Sequence, residues 1–248
     1  LQAKKVEFPV GKYYCLVNLI PPLPTLLGEK LPLPFAEISR IVQSHIEPED
    51  KPLVESWLLA IDVANFETLH QGRPLFIEGG ILSREALERK TDLPLFTQIF
   101  LEEKDRGIRR PYLFDALWEQ YYRFSYRLAQ ERNCQFLASY LSWEIGLRNH
   151  LAMMRAKERG IEGEDYLILP HLGSQDLSDI AGQVRSQKNP LMAERLIDEE
   201  RLKAIFHCEG SDLFSVDAVL AILARASLFS RWEKMAFPYE VYAILERR

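Results

Sequence analysis

The groups of this chain that could do chemistry are its five histidines, three cysteines and 36 acidic side chains, and their spacing argues against the familiar uses. No two of His45, His70, His150, His171 and His207 stand at the i, i+4 separation that puts two ligands on one helix face. Only His207-Cys208-Glu209 gathers several ligand types, and neighbouring positions of a helix point apart, so no metal centre is expected. Cys15, Cys134 and Cys208 are odd in number and lack C-x-x-C spacing, which reads as reduced thiols filling a core rather than a disulfide framework. The sequence holds no G-x-G-x-x-G or G-x-x-x-x-G-K-[ST] loop, no G-x-S-x-G elbow and no H-E-x-x-H helix. No catalytic residue, cofactor or metal ligand is assigned, and the chain is expected not to be an enzyme.

The polar residues that stand out are suited to building rather than to reacting. Asp62, Asn65 and Asn149 sit late in helical segments, and short polar side chains there can satisfy backbone groups that a helix end leaves unpaired. Arg155 and Lys157 lie near a helix C-terminus, where positive charge is favoured by about 0.3–1 kcal/mol. A sharper expectation is that Arg155 pairs with a buried carboxylate between helical modules. The charge run from Glu102 through Arg110 reads as a solvated turn, and the aromatic group Trp118, Tyr121, Tyr122, Phe124 and Tyr126 reads mainly as core.

These residues must be positioned by helices almost throughout. Lys12–Val17 is aromatic and β-leaning, so at most a short N-terminal strand is expected before the prolines of the next segment stop any regular element. Phe35, Ile38, Ile41 and Val42 then recur at helical spacing, and Glu47-Pro48-Glu49-Asp50 opens a further helix running to about Asn65. Ser83 caps another, and Asp92 with Pro94 starts one that ends near Gly107. Residues 112–145 contain neither Gly nor Pro, and two apolar stripes carry the helical period to about Arg159. Unbroken, residues 112–159 would span ~70 Å at ~1.5 Å per residue, so a break near Arg132-Asn133 is favoured over a continuous rod. Tyr166–Pro170 reads as an extended apolar link, followed by helices at about 174–184, 191–206, 215–231 and 235–246.

Composition agrees with a packed chain of this kind. A hydrophobic fraction of 47% and a charged fraction of 27% are those of a soluble globular protein, and the net charge of −5 lacks the basic excess of a nucleic-acid binder. The longest greasy segment, Tyr13–Leu33, is cut by Pro21, Pro22, Pro24 and Pro32, so no membrane span is expected. The fold class is therefore all-α: a modular multi-helix bundle with one or two long helices. Ten of the 14 prolines fall in the first 100 residues, which suggests an N-terminal module over 1–110 and a long-helix and C-terminal module over 111–248, with one continuous domain as the alternative.

A weak internal repeat links the two modules. Asp62-Val63-Ala64-Asn65 is followed by Gly72, Phe76-Ile77, Gly79-Gly80 and the helix start Leu82-Ser83. Asn149 is followed by Arg155-Ala156-Lys157, Gly160, Leu167-Ile168-Leu169, Gly173 and Leu177-Ser178. The stretch from Asn149 to Gly160 with the later Gly173 resembles the helix end and glycine link of the central-stalk subunit of V/A-type rotary ATPases, called C in archaea and bacteria and d in eukaryotes. Asp62-x-x-Asn65 with Gly79-Gly80 resembles the matching point of that family's first module, and Phe214 to Ala221, running on to Arg231-Trp232, its C-terminal helix. Lys12 to Val17 with Leu19 and Pro21-x-Leu23 is more similar to a shortened bacterial relative of unknown function that accompanies V-type ATPase genes.

The resemblance implies an all-helical, non-catalytic socket on the cytoplasmic face of the inner membrane. Its partners would be the axle subunits and the membrane rotor ring, and its task would be to transmit torque for ion transport. It implies no nucleic acid and no transmembrane segment of its own. A helical adaptor or scaffold unrelated to ATPases, and an enzyme with a site between helices, are the alternatives that the residues leave open.

Overall fold

A computed structural model describes residues 11–107, 110–173 and 176–246, and these are helical with no strand among them. The first departure from the sequence reading is at the N-terminus, where Tyr14–Leu19 forms helix α1 instead of a strand. Tyr13, Leu16 and Ile20 are buried at helical spacing, and the Tyr13 amide donates to the Phe214 carbonyl at 2.8 Å. A strand needs a neighbouring strand for its backbone, and the described residues offer none.

Helix α2, Phe35–His45, buries Phe35, Ile38 and Val42, and α3, Lys51–His70, buries Leu53, Val54, Leu58, Val63 and Phe66 after starting with proline in its first turn. The short α4, Arg84–Arg89, is capped by Ser83, whose Oγ accepts the Ala86 amide at 3.1 Å. Helix α5, Leu95–Asp105, follows Pro94. The long apolar stretch divides into α6, Leu113–Glu131, and α7, Gln135–Arg159. Asn133 takes a left-handed φ of 52° at the expected break, and Asn tolerates that conformation better than most residues. Gly160 closes α7 with a φ of 66°.

After a 3-10 turn at Glu164–Tyr166 come α8, Ser178–Ser186, and α9, Pro190–Cys208, the latter capped by Asn189 through the Leu191 amide at 2.9 Å. The last two expected helices are one element, α10, Val216–Glu246. No glycine or proline lies between Arg231 and Met235, so nothing there ends the helix.

Helix α10 is the centre of the bundle. From Ala218 to Phe229 it is buried on nearly every side, and it packs against α2, α7 and α9. Its guanidinium at Arg225 is paired with Glu209. Helix α3 packs on α6 so closely that Ser56 donates to Ser125 across the buried interface at 2.8 Å. Trp57 of α3 meets Phe136 and Tyr140 of α7 with ring centroids 6.0 and 5.3 Å apart. One hydrophobic cluster thus takes in residues from both sides of position 110.

Candidate functional site

Two asparagines carry out the same structural operation at two places in the fold. The Asn65 side chain donates from Nδ2 to the Ile77 carbonyl and accepts the Ile77 amide on Oδ1, both at 2.8 Å. The Asn149 side chain donates to the Ile168 carbonyl at 2.8 Å and accepts the Ile168 amide at 2.9 Å. In each case a helix-borne carboxamide completes the backbone hydrogen bonding of one buried or half-buried isoleucine in the segment that returns along the helix. An amide is suited to this because it offers one donor and one acceptor in the geometry of a neighbouring peptide.

The repeat extends beyond the asparagines. Three residues earlier in each helix, Asp62 and Gly146 face Gly80 and Gly173 of the returning segments. A Cβ on Gly80 would fall on the Asp62 carboxylate, and one on Gly173 would lie 2.7 Å from the Gly146 backbone nitrogen. Each returning segment then leads into a short helix, α4 or α8. In the second copy Leu169 is held at a φ of 41°, an uncommon conformation for leucine, directly after the clasped Ile168.

The copies differ where Asp62 stands. Its Oδ2 accepts the amides of Ile81 and Leu82 at 2.9 and 3.2 Å, while Oδ1 is buried with no hydrogen-bond partner. Burial pushes this carboxyl up to about 7, against the pull of the two backbone donors. The second copy has Gly146 at this position, with backbone against backbone.

Arg155 does not behave as the sequence suggested. It is exposed and forms no ion pair among the described residues, because its place on α7 faces the mouth of a cavity rather than the helix interface. The buried pairing belongs to other residues. Arg201 of α9 donates to both oxygens of Glu144 on α7, at 2.9 and 2.6 Å, and to Asp198 at 2.8 Å. Asp198, fully buried, also accepts from Arg231 and from the Trp232 indole of α10. Arg148 of α7 pairs with Asp115 of α6 at 2.8 Å. Burial works to raise the Glu144 carboxyl, but Arg201, Arg148 and Arg231 outweigh it and hold it below the ordinary range.

This charge cluster separates two cavities. On one side lies a space of about 550 Å³ walled by Phe35, Trp57, Trp118, Tyr121 and Tyr140. On the other lies one of about 540 Å³ lined by Arg148, Arg155, Arg159, Asp115 and Tyr166. Glu144 and Arg201 line both.

The charge run near residue 105 mixes exposed and engaged groups. Arg106 pairs with Glu102 at the surface, whereas Arg110 pairs with Glu119 of α6; Arg109 lies outside the described residues. Of the aromatic group on α6, Tyr121 and Tyr122 are buried and Trp118 donates to Glu67 at 2.8 Å. At His207-Cys208-Glu209, the glutamate is taken up by Arg225.

Comparison with known proteins adds a family and nothing more specific. A family model described as a protein of unknown function (DUF2764) matches residues 10–187, a span that contains both asparagine clasps. No curated protein and no solved structure matches the chain.

Proposed function

The chain belongs to this DUF2764 family of proteins of unknown function, and we propose that it serves as a non-catalytic, two-module socket in the central stalk of a bacterial V-type rotary ATPase. The observation that carries the reading is the duplicated clasp, Asn65 on Ile77 and Asn149 on Ile168, with a close glycine contact three residues before each asparagine. It falls on the two stretches whose residues resemble the repeated modules of the stalk subunit. A torque-bearing part must hold its helix connections rigid. A buried side chain that satisfies both backbone groups of one loop residue does this more firmly than an exposed turn would.

The reading assigns no reaction to the protein. It puts the chain at the membrane through partners, and no helix among the described residues is long and apolar enough to cross a bilayer. The partners are the axle and the membrane rotor ring, and the task is to carry rotation between the ATP-hydrolysing head and ion movement in the ring.

The test is co-purification from gently solubilised membranes of the native host, with a tag on this chain. Recovery of head, axle and ring subunits in near-equal amounts is the expected result. Recovery of the chain alone from the soluble fraction would overturn the stalk assignment.

A further inference from the structure

The polar cavity beside the charge cluster has an uneven electrostatic composition. Its carboxylates are already engaged: Asp115 with Arg148, Glu144 with Arg201, and Glu194 with Arg231. Arg155 and Arg159 line the same cavity, one turn apart on the α7 face that also bears Arg148, and neither has a carboxylate partner among the described residues. Ala152, between Arg148 and Arg155 on that face, leaves room over the helix, and Tyr166 forms a wall. The cavity lining therefore carries four arginines against three carboxylates, a positive surplus in a chain whose net charge is −5.

We propose that this cavity is a binding site for a phosphate monoester, with Arg155 and Arg159 on the phosphate and the ion pairs beneath holding the floor rigid. Two guanidinium groups without a carboxylate partner among the described residues are available to an anion, and the planar guanidinium fork suits pairs of phosphate oxygens. The sign of the surplus charge excludes a metal cation. A volume of about 540 Å³ is that of a small-molecule pocket and exceeds what bare phosphate needs. Leu151 and Ile197, which also line it, give the organic part of the ester an apolar surface. The phosphate could belong to a soluble metabolite or to a lipid headgroup; the chemistry recognised is the same. The proposal rests on the cavity alone and is independent of the stalk assignment.

The experiment uses the full chain and the double variant Arg155→Ala/Arg159→Ala. Both residues are exposed and unpaired among the described residues, so the variant should stay folded, with a thermal midpoint lowered only slightly by the loss of positive charge near the C-terminal end of α7. Phenyl phosphate, inorganic phosphate and sulfate are titrated calorimetrically at constant ionic strength, and phosphatidic acid vesicles are compared with phosphatidylcholine vesicles by co-sedimentation. The expected result is saturable binding of one phosphate ester per chain, tighter for phenyl phosphate than for inorganic phosphate, and weakened by roughly tenfold or more in the double variant. Binding confined to phosphatidic acid vesicles, and lost in the variant, would equally sustain the site and name the lipid source. Absence of saturable binding to every probe, equal binding of sulfate, or binding unchanged in the variant would overturn it.

Discussion

At the scale of single residues, Asp62 is the group whose chemistry and structure pull against each other. Its carboxylate anchors two backbone amides yet leaves Oδ1 buried and unpartnered, and burial raises its ionisation to about 7. An unfolded aspartate ionises near 3.9, so between about pH 4 and 7 the folded protein binds the extra proton. Stability linked to this group is therefore present at low pH and is lost as pH rises through that window, on the order of a few kcal/mol in total, and is constant above it. Asp62→Asn cannot ionise. Its stability relative to the parent, measured by urea unfolding at a series of pH values, should climb from about pH 4 to 7 and then level off. A difference that does not vary with pH would mean that Asp62 titrates normally. The neighbouring Asn65 carries no such dependence, because an amide can satisfy the same kind of loop without charge.

At the scale of elements, the clasped segments depend on how closely backbone can approach helix. Gly173 stands where a side chain would collide with the Gly146 nitrogen and Cα of α7 at 2.7 and 2.8 Å, and a helix backbone cannot give way as a side chain can. Gly173→Ala should cost about 1–3 kcal/mol or more, as other overpacking substitutions do. Gly182 is exposed within α8, where a methyl group would meet nothing within 4 Å, and it has no left-handed φ. Gly182→Ala should instead stabilise by about 0.5–1 kcal/mol through helix propensity. Chemical denaturation of the two variants side by side checks both signs. Equal effects would show that the loop after Ile168 does not need its close approach to α7.

At the scale of the whole molecule, the helices are joined by a shared core and by the charge cluster at its edge. Asp115, Glu144, Arg148, Asp198, Arg201 and Arg231 tie α6, α7, α9 and α10 together around three carboxylates with little access to water, those of Asp115, Glu144 and Asp198. Breaking one side of a buried pair leaves the other uncompensated, which typically costs about 3–5 kcal/mol. Arg201→Ala strands Glu144 and part of Asp198, and a loss of that size is expected. Arg84→Ala removes an exposed pair with Glu88 and should change stability by less than about 1 kcal/mol. Because residues on both sides of position 110 share one hydrophobic cluster, Arg201→Ala should lower a single unfolding transition seen equally by tryptophan fluorescence and by helical circular dichroism. Two separated transitions would show that the N-terminal helices melt independently.

The all-helical class, the break at Asn133, the cap at Ser83 and the stop at Gly160 were all legible in the sequence. Each depends on local chemistry: the helical period, a serine at a helix start, or a residue that tolerates positive φ. The polar positions Asp62, Asn65 and Asn149 could also be picked out, since short polar side chains inside otherwise apolar helical stretches need a reason to be there. The loop residues they hold could not, because Ile77 and Ile168 lie 12 and 19 residues further on and the helix period says nothing about a returning loop. The N-terminal segment misled because β-leaning side chains do not make a strand without an edge to pair with. Arg155 and Arg201 illustrate the same limit for charge. Both are arginines on helices, and only the packing of α7 against α9 decided which would be buried against Glu144 and which would be left free at the mouth of a cavity. Local sequence determined the helices and where they end; tertiary structure alone decided the ion pairs and cavities, because these depend on which faces of distant helices meet.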